Sequence, residues 1–136
     1  MDTAEPLELG VLADVLYVAR ITPQWARRPY WLLRRCVVPY VAARQFLVLR
    51  RDSVPVAYAG WAMERAGEAW PWRTDRYLPA RGEIGGEGRC CITEIIAPLH
   101  APERVVAEVA KWLGLTALPA WIEHDEERRI VAVHGT

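Results

Sequence analysis

One carboxylate in this chain stands where chemistry could use it. Glu94 lies in CCITEIIAP, residues 90–98, and is the one acidic residue set inside an apolar run. Burial in such a strand disfavours the charged form and raises a carboxyl pKa toward the range useful to a general base. The same position also suits a glutamate tied to an arginine with no chemistry of its own. His100 follows that strand and precedes a helical stretch, so a second proton acceptor, or an ordinary loop histidine, stands close by in sequence. Cys90 and Cys91 would need a base and an electropositive setting to act as nucleophiles, and the residues around them read instead as a buried strand. His124 reads as a turn residue and His134 as structural. No metal-ligand spacing, phosphate-binding loop or dinucleotide fingerprint is present.

The elements that must position these residues follow from punctuation and periodicity. Residues 6–20 place Leu12, Val15, Leu16 and Ala19 at helical spacing, an amphipathic helix that packs on a sheet. Thr22-Pro23 breaks it, since a residue before proline avoids the helical region. Pro29 can open a second helix over 30–38, which Pro39 ends or kinks. Residues 45–49 and 54–61 are rich in Val, Leu, Phe, Tyr and Trp around Arg50-Arg51-Asp52-Ser53, and predict a β-hairpin. The stretch 64–89 collects Pro71, Pro79, Gly82, Gly85, Gly86 and Gly88; it predicts surface connection, with a short strand near 69–72 and a mobile tip at 82–88. Residues 90–97 then form a strand stopped by Pro98. Residues 102–113 make the best helix, with Pro102 at its start, Glu103 near the positive end of its dipole and Gly114 as its C-cap. A closing hairpin joins 120–123 to 129–133 through a charged turn. The expected fold is α+β: a central, mostly antiparallel sheet flanked by helices in a single domain, 1–136.

Composition narrows the function classes. Seventeen basic residues balance 17 acidic ones, so no bulk field draws nucleic acid or an anionic membrane. Lys111 is the sole lysine, a bias that a GC-rich genome explains as well as a function does. Three cysteines are an odd count, no apolar run is long enough for a bilayer, and no secretory leader opens the chain. A reducing cytoplasm is the expected compartment. Seven tryptophans are many for 136 residues; burial in a small core accounts for most, while Trp25 and Trp61 could line a channel for an alkyl chain.

The hairpin and its approach also carry a family resemblance. VxPYxxAxQFxxLxRDxxPVAYxxWA, read over 37–62, resembles the signature of the RTX toxin-activating lysine acyltransferases. Leu9-Gly10, Thr22-Pro23, Glu94-Ile95-Ile96-Ala97-Pro98 and Val133-His134-Gly135 resemble further family motifs in the same order along the chain. The resemblance implies a GNAT-like fold, a homodimer by family precedent, and transfer of a fatty acyl group from an acyl-carrier protein to a lysine of a protein acceptor. The family's catalytic histidine follows its Ser-Pro by two residues, a place held here by Trp25; its catalytic aspartate corresponds to Glu94. An indole takes no proton at neutral pH. The resemblance therefore implies Glu94 as the base, or as the group orienting it; His100, by its place between that strand and the next helix, could stand in for the missing histidine as its partner.

Fold analogy adds Ile95 and Ile96, in the strand expected to supply oxyanion donors. The turn Pro98-Leu99-His100-Ala101-Pro102 holds no glycine, so it suits the pyrophosphate of coenzyme A poorly and favours the phosphopantetheine thioester of a carrier protein, with no bound cofactor. Arg104 and Lys111 could meet an acidic carrier, or form a solvated helix face. Two other functions stay open: a degenerate family member that binds carrier or peptide without turnover, and an acetyl-CoA-dependent small-molecule acetyltransferase.

Overall fold

A computed structural model describes residues 6–64 and 89–135. The short strand expected near 69–72 and the tip at 82–88 lie outside the described residues. The elements, in order, are α1 (Pro6–Arg20), α2 (Pro23–Ala26), α3 (Tyr30–Ala42), β1 (Phe46–Arg51), β2 (Val54–Glu64), β3 (Arg89–Ile96), α4 (Pro102–Leu113), β4 (Ala120–His124) and β5 (Ile130–His134). The five strands form one sheet in sequence order, antiparallel except where β3 meets β4. This is the α+β arrangement the sequence predicts, and it is consistent with a GNAT-like domain.

Helices cover both faces. Val11, Val15 and Val18 of α1, with Leu33, Cys36, Val37 and Val41 of α3, pack with Trp25 on Tyr58 and Ile96. On the other face Val105, Val106 and Val109 of α4 pack on Ala57, Ala59, Trp61 and Ile92. Full burial of each such aliphatic side chain contributes about 1.5–3 kcal/mol relative to exposure. Pro102 sits at the start of α4, and Gly114 ends it at φ +69°, a left-handed conformation that glycine adopts without a Cβ clash.

Two local outcomes differ from the sequence expectation. The second helix does not stop at 38: α3 runs through Pro39 to Ala42, and Pro39 contributes its carbonyl to the N–H of Ala43 at 3.0 Å. The buried apolar face, Val37, Tyr40 and Val41, continues past the proline and outweighs the hydrogen bond it removes. The break after α1 is also not a plain loop. Thr22 Oγ1 donates back to the Val18 carbonyl at 2.8 Å, while its own carbonyl accepts the N–H of Trp25 and Ala26, so the single turn α2 forms with Pro23 at its start. That turn aims Trp25 into the core, where it is 6% exposed.

The β1–β2 hairpin closes through Asp52 and Ser53, both at positive φ (51° and 68°), as a two-residue turn of the primed kind that matches strand twist.

Candidate active site

An irregularity in β3 creates the site. Gly60 pairs with Glu94 and Trp61 pairs with Ile92, leaving Thr93 as one residue too many on β3. In a regular strand residues 92 and 94 would share a face; the inserted residue breaks that alternation. Ile92 therefore points into the α4 cluster, while Glu94 turns to the side of α3, beside Cys36 and Tyr40. Thr93 Oγ1 is hydrogen-bonded to the Tyr40 hydroxyl, and the Tyr58 hydroxyl donates to the Cys36 carbonyl at 3.1 Å. Gly60 makes room for this packing: a Cβ there would lie 2.8 Å from both the Tyr40 ring and the Tyr58 hydroxyl.

Glu94 is 7% exposed and is held by one cation. Arg128 Nη2 donates to Glu94 Oε2 at 2.6 Å, and the same nitrogen lies 3.3 Å from Cys36 Sγ. Glu94 Oε1 is buried with no hydrogen-bond partner. Burial pushes the Glu94 pKa above the ordinary carboxyl value, and Arg128 opposes that rise. Burial likewise lifts the Cys36 thiol to about 12, with the Glu94 charge adding to the effect, so Cys36 is no thiolate nucleophile. Burial works against the charge of Arg128, but Glu94 outweighs it and the guanidinium stays protonated.

Arg128 itself sits at φ 67°, the left-handed position that closes the turn between β4 and β5. Asp125 shapes this turn: its Oδ1 accepts the N–H groups of Glu127 and Arg129, both at 2.9 Å, and its Oδ2 accepts from Arg129 Nε at 2.8 Å. Glycine would take this position without strain; an arginine there costs about 1–2 kcal/mol of backbone energy. The side chain that results reaches Glu94.

A pocket of about 180 Å³ opens beside this pair, between Thr22, Gln24, Trp25 and Arg28 on one side, Ile95, Ile96 and Ala97 at the end of β3, and Ile122 to Asp125 with Arg128 on another. It exists because β3 and β4 part. They are paired only at Cys91 with Ala120 and Ile92 with Trp121, and their later residues line opposite sides of the pocket. Arg28 and Arg128 both lie over the Trp25 ring, with Cζ 4.5 and 5.4 Å from its centroid. His124 also lines the pocket, and burial together with the nearby Arg128 and Arg28 charges lowers its pKa to about 4, so it is neutral at pH 7.

The residues singled out from sequence separate in space. Trp25, Ile95 and Ile96 line the pocket, and Glu94 stands behind it, fastened to the lining residue Arg128. Trp61 is 1% exposed in the cluster under α4 and does not line the pocket. His100 is half-buried, its Nδ1 without a hydrogen-bond partner, and is also outside the lining. Arg104 and Lys111 are exposed on α4. His134 stacks on Trp121 at 4.0 Å and meets Glu123 at 2.8 Å. Sequence reasoning missed Arg28, Arg128 and His124. Only the register of the closing hairpin, which puts Arg128 at a glycine-like position, could have marked one of them.

Among the described residues no group of three potential metal ligands converges, and no helix is long and apolar enough to cross a membrane. The sequence model of the RTX toxin acyltransferase family matches residues 6–132. No curated protein matches the chain.

Proposed function

Because the chain belongs to the RTX toxin acyltransferase family, we propose that it is an N-acyltransferase moving a fatty acyl group from the phosphopantetheine thioester of an acyl-carrier protein to a lysine or other amine of a protein or ribosomal peptide. The observation that carries this reading is the parting of β3 and β4. Two strands that separate after a short pairing leave backbone N–H and C=O groups turned toward each other across a gap, and an extended, amide-bearing pantetheine arm can satisfy them as an added strand would. The thioester then lies against Ile95 to Ala97, with free backbone N–H groups of the parted strand near the developing oxyanion. The amine nitrogen forms the new bond to the acyl carbon, the C–S bond breaks, the carrier thiol leaves, and the ammonium proton must be accepted.

Glu94 serves this reaction as base or through Arg128. Its place behind the pocket favours the second role, in which it holds Arg128 against Trp25. His124 lines the pocket as a neutral imidazole that can accept a hydrogen bond from the attacking amine, while burial and the Arg128 and Arg28 charges oppose its taking the proton outright. The proton that a free lysine holds with a pKa of about 10.4 therefore passes to bulk water. The glycine-free turn 98–102 favours a carrier-bound donor over coenzyme A, and a lone phosphodiester of the carrier is better matched to exposed Arg104 and Lys111 than to a pyrophosphate cradle. Cytoplasmic location, action as a homodimer and a single acyltransferase domain over 1–136 belong to the same reading.

A second reading has one observation in its favour. Glu94 is already fastened to Arg128 and an indole occupies the family's histidine place, so the pocket could bind an acyl carrier or a peptide without turnover. Intact-mass spectrometry with carrier-protein thioesters of several chain lengths, the matching coenzyme A thioesters and an amine acceptor separates the two. Loss of one chain-length class from the carrier, but not from coenzyme A, supports the transferase; tight complexes without loss support the binding subunit. Glu94→Gln keeps the volume and lowers transfer by about 100-fold or more without unfolding the protein, since misplacing a positioned group costs that much; an unchanged rate overturns the assignment of Glu94.

A further inference from the structure

The pocket carries more positive charge than it uses. Arg128 is neutralised by Glu94 at 2.6 Å. Arg28 is not: among the described residues its hydrogen bond goes to a neutral acceptor, the Glu126 carbonyl, at 2.7 Å, and no carboxylate lies within ion-pair distance. Its partial burial and its proximity to Arg128 both work against its charge. A protein holds two guanidiniums over one indole at a cost, and an anion between them removes it. The carboxylates that do line the pocket are turned to other tasks. Asp125 is saturated by Arg129 and two backbone N–H groups, and Glu123 is engaged with His134.

We propose that Arg28 and Arg128, seated on Trp25, form a subsite for a carboxylate carried by the amine acceptor. The inference rests on the acyltransferase reading for the word acceptor, but not for the binding itself. A carboxylate fits the planar fork of a guanidinium through two parallel hydrogen bonds, and Arg128, already committed on one edge, still presents others to the pocket. The acceptor is favoured over the donor phosphate because the carrier's phosphodiester is matched to Arg104 and Lys111, exposed on α4 and outside this pocket. The indole in the histidine place is then a platform that holds Arg28 and Arg128 in position. Acceptors of this kind are lysines beside an acidic residue, or an amino acid or peptide terminus with a free carboxylate.

The test reads binding and needs no turnover. The full chain is titrated with Nα-acetyl-lysine and with its amide, and with capped Gly-Lys-Asp-Gly and Gly-Lys-Asn-Gly, while the Trp25 indole and Arg28 Nε–H resonances are followed. The free carboxylate, or the Asp neighbour, binds at least about tenfold more tightly than its neutral counterpart. The acetyl-lysine pair and the peptide pair distinguish a terminal from a side-chain carboxylate. Arg28→Gln removes the preference, bringing each pair within about threefold, and Arg28→Lys restores part of it. Equal binding of charged and neutral probes, a preference that survives Arg28→Gln, or no binding at millimolar concentration overturns the proposal. So does tighter binding of 4′-phosphopantetheine than of pantetheine that Arg28→Gln abolishes, because the cations would then belong to the donor. A chain that shows the preference but transfers no acyl group overturns the acyltransferase reading alone; a chain that transfers without the preference overturns this one alone.

Discussion

The two faces of the sheet are built from different materials. Under α4, residues Ala57, Ala59, Trp61, Ile92, Val105, Val106 and Val109 make an apolar layer in which the Trp61 indole N–H is buried without a partner among the described residues. Under α1 and α3, the same strands present Thr93, Glu94 and Tyr58 to Cys36 and Tyr40, a layer threaded with hydroxyls, a thiol and an ion pair. Buried polar groups add little to stability unless each finds its partner, so the second face is the poorer way to hold a fold and the better place to hold a reaction. One sheet thus divides its duties between its sides.

Removing the cation from the polar face is the hardest blow to that division. Arg128→Gln leaves Glu94 buried and unpaired, and lowers stability by about 3–5 kcal/mol in urea denaturation at pH 8. The pH dependence has a definite sign. Burial holds the folded pKa of Glu94 above its ordinary 4.5, so the protonated form favours folding, and that contribution is lost as pH rises through the folded value. Arg128 offsets the loss in the wild type. In the variant the folded pKa climbs further, and the stability gap between the two proteins widens as pH rises from the wild type's folded value to the variant's. A gap that stays constant over that window would mean that Glu94 is not the group left behind. Arg128→Gly, which relieves the left-handed backbone, is more stable than Arg128→Ala by about 1–2 kcal/mol.

Gly60→Ala tests whether the polar face is as closely fitted as its hydrogen bonds suggest. The added methyl meets Tyr40 and Tyr58, and the change costs about 1–3 kcal/mol as those rings shift, with a fall in acyl transfer because they pack beside Glu94. Ile92→Val, one residue from the bulge but on the other face, sharpens the contrast. It costs about 0.5–1.5 kcal/mol and leaves transfer unchanged. Equal losses of transfer in the two variants would erase the distinction between the faces.

Local signals carried most of the architecture. The β1–β2 hairpin was readable because Asp52-Ser53 tolerates positive φ between two apolar runs, and α4 because proline, glycine and an apolar stripe agree on its limits. Glu94 stood out for its neighbours. Its partner did not: Arg128 lies in His124-Asp125-Glu126-Glu127-Arg128-Arg129, where any one charge looks as solvated as the next, and only the turn geometry turns that side chain inward. Arg28 was hidden for the same reason beside Arg27. The end of α3 is not legible at Pro39, because the buried face that continues through Tyr40 and Val41 offsets proline's local penalty. Thr93 gave no signal at all, since an inserted residue in a strand has no composition of its own.

That insertion makes the length of β3 as consequential as its content. Excising Thr93 would restore regular pairing, with Ile92 still under α4 and Glu94 still toward α3, while removing the local bend of the strand and the partner of the Tyr40 hydroxyl. Among relatives of this chain, a one-residue gap at this point would therefore mark a β3 without the bulge in which a retained glutamate still faces α3, so the gap alone would not mark loss of the carboxylate.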